Sequence, residues 1–266
     1  MLTNYHTHTN FSDGNNTAEE VVLSAIEKGF NAIGFSDHGY TDFDLSYCIK
    51  DVKSYIAEIN RLKQKYSDKI KIYLGLEEDA AYYNDRRNYD YIIGSSHYFL
   101  VDDKYYPIDC SYNDYKENLK LFNNDIIKMA NNYYSNFCDY VIKRKPDIIG
   151  HFDLITKYDE KENRVILNNS EYNSLAEKYI TSILNVGALF EVNTGAISRG
   201  YRTNPYPNEN LLYVLKKNDA GIILSSDSHT KENIDYAFNE TKKYLKDIGF
   251  RKTYHFIDGK FVAENI

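Results

Sequence analysis

"LTNYHTHTNFSDG", residues 2–14, places two histidines one residue apart behind a short β-rich run, with an acid five residues on. Leu2–Tyr5 reads as a strand. His6 and His8 follow it at i and i+2, so both imidazoles leave the chain on the same side. Two imidazoles converging in this way can hold one cation. The pair alone does not define a fold; its recurrence does. "NAIGFS" (31–36) reads as a buried strand, and His38 follows it in "SDHG". "KIKIYLGL" (69–76) leads to Glu77, "YDYIIGSS" (89–96) to His97, and "PDIIGH" (146–151) ends on His151. "ALFEVN" (188–193) carries Glu191 near its end, and "GIILSS" (221–226) leads to Asp227 and His229. Six of the seven histidines thus fall at the carboxyl end of a strand, and only His255, in the tail, stands apart.

Helical segments separate these strands. Thr17 and Glu20 form a capping box that opens a helix ended by Gly29. Residues 48–66 form an amphipathic pattern with Val52, Ile56, Ile59 and Leu62 on one face. Further helices are expected over 113–136, from Ser170 to about Val186, over 209–218 and over 233–249. The tail 253–262 reads as a hairpin turning at Asp-Gly. Strand and helix in alternation imply parallel strands joined by right-handed crossovers. Seven strands apolar on both faces suit a closed or nearly closed barrel better than an open sheet. No Pro/Gly/Ser-rich linker or repeat interrupts the chain, so residues 1–266 are expected to form one α/β domain.

Composition bounds the function. Of the 266 residues 42% are hydrophobic and 27% charged, enough for a sizeable core and against disorder. Tyr is abundant, with 27 residues against no Trp, and Asn, Lys and Ile are frequent too. All four have A/T-rich codons, so base composition accounts for the tyrosines better than an aromatic binding surface. The net charge of −7 argues against a surface built to grip nucleic acid or anionic lipid. It leaves room for an anionic substrate, because bound metal ions dominate a local field. Cys48, Cys110 and Cys138 are scattered and odd in number, which fits a reducing compartment. There is no basic-then-apolar leader, and no run near the ~20 apolar residues that span a bilayer. A cytoplasmic protein is expected.

In an α/β barrel the carboxyl ends of all strands open onto one face, where barrel enzymes place their chemistry. The six histidines, with Glu77, Glu191 and Asp227, would meet there. Imidazole and carboxylate without thiolate suit zinc, manganese or iron. Nine such groups exceed what one tetrahedral ion uses, so two or three ions sharing bridging carboxylates are expected. Clusters of this kind hold a hydroxide between metals and polarise phosphoryl oxygens.

The ordered set "HTHTNFSDG", "FSDHG", "LGLEED", "GSSHYF", "GHFDLI", "FEVNTG" and "SSDSH", spanning residues 6 to 229, resembles the polymerase-and-histidinol-phosphatase (PHP) superfamily. Within it, "GHFDLITKY" and "EVNTGAISRG…YP" look most like monofunctional histidinol-phosphate phosphatases. The resemblance implies a distorted (β/α)7 barrel and a trinuclear site of divalent ions, zinc first, with manganese or iron as alternatives. His6, His8, Glu77 and Asp227 would hold one ion. Glu77 would bridge to a second, held also by His97 and His151. Asp13, His38 and His229 would hold the third. Glu78 would point the other way. The implied reaction is hydrolysis of a small phosphate monoester, L-histidinol phosphate, by in-line attack of a metal-bound hydroxide. Asp227 or His229 would relay a proton to the leaving alkoxide. Arg199 is the candidate phosphate clamp, because guanidinium grips phosphate in a fork, and Arg202 is its rival. Glu191 and Asn193 match an E-x-N motif and are expected to orient substrate or ligands. Asp79 or Asp153 could select the cationic alcohol.

Three alternatives compete. A PHP phosphoesterase could act on another small phosphate ester or a nucleotide; the acidic balance and the lack of a basic groove segment weaken the nucleic-acid version. An amidohydrolase barrel also begins with H-x-H, but "SDH" and "GLE" have no place in its scheme. A non-catalytic PHP module would have lost ligands, whereas here each position is filled.

Overall fold

In the computed structural model, which describes residues 1–266, seven parallel strands lie side by side in the order of the sequence. They are Thr3–Asn4, Ala32–Phe35, Lys71–Asp79, Tyr91–Ser95, Ile148–Ile149, Leu189–Asn193 and Ile222–Ser225. Every neighbouring pair is parallel. Just past their ends the first and seventh strands meet, where Thr7 bridges Ser228 and His8 N donates to Ser228 O at 2.9 Å. Asn4 Nδ2 donates to Ser226 Oγ at 2.7 Å across the same seam. The sheet is therefore a nearly closed α/β barrel.

The period of two in each strand sorts its side chains. Tyr5, Ala32, Tyr73, Tyr91, Ile93, Ile148, Leu189 and Ile223 form one cluster, which fills the barrel. Ile33, Phe35, Ile72, Leu74, Leu76 and Ile92 belong to a second cluster, with the helices outside. Tyr91 needs space from its neighbours. A Cβ on Gly34 would lie 2.2 Å from the Tyr91 hydroxyl, and one on Gly75 would lie 2.3 Å from its ring. Only glycine leaves room for the hydroxyl to donate to Tyr5 O at 2.6 Å.

The C-terminal hairpin, Lys252–Ile257 with Lys260–Asn265, turns at Asp258 and Gly259 with φ of 47° and 79°. Two positive φ values are what a two-residue hairpin turn requires. Phe256 inserts against Tyr5, Tyr73 and Tyr91, with ring centroids 6.4, 5.0 and 5.7 Å away, and so plugs the barrel opposite the carboxyl ends.

Helix limits depart from the sequence pattern in instructive ways. The first helix, Ala18–Glu27, has the Thr17–Glu20 capping box. The segment read as 48–66 becomes helical only at Val52, where Asp51 accepts from Ser54 N at 3.0 Å. Its buried stripe is Tyr55, Ile59 and Leu62, with Val52 and Ile56 at the margin. The helix read over 113–136 is two, Tyr112–Leu121 and Ile126–Arg144. Asn123 and Asn124 take φ of 56° and 59°, and Asp125 then caps the second helix. Asparagine tolerates the left-handed region, so the break is local chemistry overriding a periodic pattern. The next helix, Ser170–Ser182, is capped by Asn169 rather than Ser170, and residues 184–186 form a separate 3-10 turn. After Glu209–Lys217, the last helix begins only at Phe238, behind Ala237 at φ 57°, and ends at Ile248. An additional hairpin follows the fourth strand, Tyr98–Val101 with Lys104–Pro107, turning at Asp102-Asp103.

Candidate metal centre

The carboxyl ends of the strands bring His6, His8, Asp13, His38, Glu77, His97, His151, Asp227 and His229 onto one floor. Glu77 lies at its middle and is 1% exposed. Its position follows from strand parity: Tyr73, Gly75 and Glu77 face inward, so Glu78 must face out. Glu77 Oε2 is 3.3 Å from His6 Nε2, 3.6 Å from His8 Nε2 and 2.8 Å from His38 Nδ1. Glu77 Oε1 is 2.9 Å from His151 Nε2 and 3.5 Å from His97 Nε2. Asp227 Oδ1 faces the same pair of imidazoles, 3.1 Å from His8 Nε2 and 3.7 Å from His6 Nε2. Asp13 reaches over from its loop. Its Oδ2 is 3.2 Å from His229 Nε2, and its Oδ1 is 3.7 Å from His38 Nε2 and 3.8 Å from His8 Nδ1. His38 thus presents one nitrogen to Glu77 and the other to Asp13.

The donors fall into three overlapping groups. One holds His6, His8 and Glu77, one holds His38, Glu77 and His97, and one holds His8, Asp13, His38 and His229. Within each group the donor atoms lie within 4.8 Å of one another. His6 Nε2, both nitrogens of His8, Glu77 Oε2 and His151 Nδ1 are buried and have no hydrogen-bond partner. Each such atom costs roughly 1–3 kcal/mol when left unmatched. All-nitrogen-and-oxygen donors packed this closely fit divalent zinc, manganese or iron.

The electrostatics leave His8 neutral and Glu77 and Asp227 ionised, as ligation requires, while against burial the facing carboxylates raise His6, His38 and His97 above the ordinary imidazole value. Burial pushes the His8 imidazole down to about 3, and the neighbouring His229 and His38 add to it, so His8 is neutral. Burial opposes ionisation of Glu77, but His6, His38 and His97 outweigh it and hold the carboxyl well below its ordinary value. The same opposition at Asp227 is overcome by Arg199, His6, His8 and His229. Asp227 also sits at φ 46°, the left-handed region that a non-glycine residue occupies at a cost.

An outer ring of carboxylates aims the imidazoles. Glu191 Oε1 lies 2.6 Å from His6 Nδ1, while its Oε2 accepts from His151 N at 2.8 Å and Asn193 Nδ2 at 3.0 Å. Asp79 Oδ2 is 2.9 Å from His97 Nδ1. Asp37, in "SDHG", accepts from Thr9 N, Thr9 Oγ1 and Ser12 Oγ, which fixes the turn carrying Asp13. Such partners set tautomer and ring orientation. Glu78, pointing outward, takes both Nε and Nη2 of Arg144 at 2.6 and 2.8 Å and the Tyr140 hydroxyl at 2.9 Å.

Some expected substrate contacts move. Glu191 and Asn193 are buried beneath the floor and do not line the cavity above it; their hydrogen bonds are spent on His6, on His151 N, on each other and on Gly195 N. Asp79 is likewise committed to His97. Asp153 is fully buried, accepting from Asn208 N and Nδ2. Arg202 is buried too, donating to Thr156 Oγ1 at 2.8 Å, 3.7 Å from Asp153 and over the Tyr206 ring. Arg199 alone of the two arginines faces the cavity of 320 Å³. It donates from Nη1 to Asp227 O at 2.9 Å and from Nη2 to Asp227 Oδ2 at 3.1 Å. A second cation, Lys157, lines the same cavity, with Nζ 3.1 Å from Asp109 Oδ2. Lys157, Asp109 and Asp44 escaped the sequence reading because none directly follows one of the seven barrel strands. The "LVDDKYY" turn could have revealed the hairpin that brings Tyr98 to the cavity.

Several known proteins are similar to this chain. The family model for the PHP domain matches residues 4–195. A Schizosaccharomyces pombe protein named "Probable histidinol-phosphatase" is 28% identical over 252 residues, covering 87% of this chain and 81% of its own. A Listeria monocytogenes crystal structure superposes with a TM-score of 0.78 at 22% identity, covering 90% of this chain and 99% of that one. The Lactococcus lactis histidinol phosphate phosphatase, crystallised with zinc, L-histidinol and phosphate, gives 0.65 at 21% identity, with 98% of each chain covered. Both structures share the barrel.

Proposed function

The chain belongs to the PHP domain family, and from that premise we propose that it is a metal-dependent phosphatase that hydrolyses L-histidinol phosphate to L-histidinol and inorganic phosphate. The observation that carries this is the floor of nine convergent donors with unpartnered buried atoms, in a chain similar over most of its length to a protein named as a histidinol-phosphatase. We assign the whole chain, 1–266, to one catalytic domain working in the cytoplasm; no helix is long and apolar enough to cross a membrane.

Three divalent ions, zinc first, are the proposed cofactors. His6, His8, Glu77 and Asp227 would hold one, Glu77, His97 and His151 the second, and Asp13, His38 and His229 the third. When bound, such ions make water acidic enough to attack at neutral pH and draw charge from the phosphoryl oxygens. The protein's own groups do the rest. Arg199 and Lys157 line the cavity and complement phosphate charge, Arg199 through its planar fork. Arg199 also keeps Asp227 ionised and oriented. Asp227 or His229, both on the cavity wall, is proposed to relay to the departing alcohol oxygen the proton that the attacking water gives up. Glu191 and Asp79 keep His6 and His97 in their ligand tautomers.

The test is phosphate release from a panel of histidinol phosphate, nucleotides and sugar phosphates, with metal analysis of the same sample. Histidinol phosphate is expected to exceed the others in kcat/KM by at least about tenfold, with bound divalent metal. Bound metal with equal turnover of the whole panel would instead favour a PHP phosphoesterase of another small ester.

A further inference from the structure

Four aspartates line the cavity above the metal floor, Asp13, Asp44, Asp109 and Asp227. Three face a base: Asp13 faces His229, Asp109 faces Lys157, and Asp227 faces Arg199. Asp44 does not. Its Oδ1 accepts from Ser46 N at 2.9 Å and Ser46 Oγ at 2.6 Å, and its Oδ2 accepts from the Tyr98 hydroxyl at 2.8 Å. These are neutral donors, and they leave one acceptor position of the carboxylate open. Although burial disfavours charge, they hold the carboxyl below its ordinary value, so Asp44 is an anion without a counter-ion.

The loop that carries it is braced. Asp44 O accepts from Thr41 Oγ1 at 2.6 Å and Cys48 Sγ at 3.5 Å. Phe43 stacks on Tyr105 at 4.3 Å and meets Tyr98 edge-on at 5.0 Å, which ties the loop to the hairpin after the fourth strand. The rings of Tyr47 and Tyr98 line the same cavity, and Tyr47 sits edge-on to His38 at 4.8 Å. The Tyr47 hydroxyl is buried with no hydrogen-bond partner. A fixed, uncompensated carboxylate beside two aromatic rings is a receptor for a cation.

We infer that Asp44, flanked by Tyr47 and Tyr98, binds a protonated nitrogen on the alcohol half of the substrate and so selects phosphate monoesters of cationic alcohols over those of neutral alcohols. The inference rests on the histidinol phosphate reading and adds the side chain that reads the alcohol. Asp44 takes no part in bond breaking. Its contribution is therefore to KM, and to the ratio of kcat/KM between esters of cationic and of neutral alcohols.

The experiment compares wild type with Asp44→Asn on histidinol phosphate and p-nitrophenyl phosphate. The ratio of the two kcat/KM values is expected to fall about tenfold in the variant, through KM, the loss typical of one hydrogen bond to a charged group. A variant that merely disturbs the fold loses on both substrates and leaves the ratio intact; an intact ratio overturns the inference. Two analogues identify the nitrogen. Ethanolamine phosphate retains the ammonium, and 3-(imidazol-4-yl)propyl phosphate retains the imidazole. The analogue carrying the recognised nitrogen is disfavoured by Asp44→Asn, and equal behaviour of both analogues and of p-nitrophenyl phosphate in the two proteins also overturns it. Should wild type fail to hydrolyse histidinol phosphate, the functional reading falls, and the ratios of the two analogues to p-nitrophenyl phosphate still decide the role of Asp44.

Discussion

At the scale of single residues, adjacent or nearby side chains of the same type do different work because parity and burial separate them. Glu77 and Glu78 are neighbours, yet one joins five imidazoles and the other is gripped by Arg144. Arg199 and Arg202 are three residues apart, yet one faces the cavity and the other is sealed against Asp153 and Thr156. Their substitutions should therefore fail differently. Arg199→Ala is expected to lower kcat/KM about a hundredfold, as loss of one charge-stabilising donor does, with the unfolding midpoint little changed. Arg202→Met leaves Asp153 buried without its cation and should cost about 3–5 kcal/mol of stability. Steady-state kinetics and urea unfolding of both variants check this; activity loss in Arg202→Met without destabilisation would reverse the assignment. The histidines and carboxylates at the strand ends were readable from the strand pattern. The fates of Glu191, Asp79 and Arg202 were not, because hydrogen-bond partners drawn from other strands decide them.

Secondary-structure elements were legible where one local rule acted alone. The capping box, the seven strands and the Asp-Gly hairpin all follow from short-range chemistry. The split helix and the hairpin after the fourth strand also rest on local chemistry, left-handed Asn123-Asn124 and Asp102-Asp103, but there a periodic helix pattern or a polar loop composition masked the turn. The C-terminal hairpin carries the one histidine outside the metal floor. His255 Nδ1 accepts from Thr3 Oγ1 at 2.7 Å, and Nε2 lies 3.1 Å from Glu264. Burial lowers this imidazole to about 4 although Glu264 opposes the shift. On acidification the unfolded chain therefore takes up its proton first, near the ordinary value of about 6.5. Stability contributed by neutral His255 is present above that value and is lost as pH falls toward about 4. His255→Gln should flatten the decline of the urea midpoint between about pH 7 and about pH 4 relative to wild type. An unchanged slope would show that His255 titrates normally in the folded protein.

For the whole molecule, the metal floor is also a clasp. Its donors come from the ends or following loops of strands one, two, three, four, five and seven, so ions bound there would hold the barrel closed. Ligands that bind only the folded state stabilise it by about 2.7 kcal/mol at a concentration one hundred times Kd. At about 2–4 °C per kcal/mol for a chain of this size, chelation should lower the thermal midpoint by at least about 5 °C, and added zinc should restore it. A midpoint indifferent to chelator would separate the donors from any structural role.

The sequence by itself determined the alternation of strand and helix and the donors at the strand ends, because strand periodicity and residue chemistry are local. Tertiary structure alone decided which donors lie close enough to share an ion, which carboxylates aim imidazoles and which face the cavity without a base. Those outcomes depend on distances between residues tens to hundreds of positions apart, which barrel closure sets. Asp44 shows the difference: its charge is written in the sequence, but its lack of a counter-ion is visible only once the cavity wall is assembled.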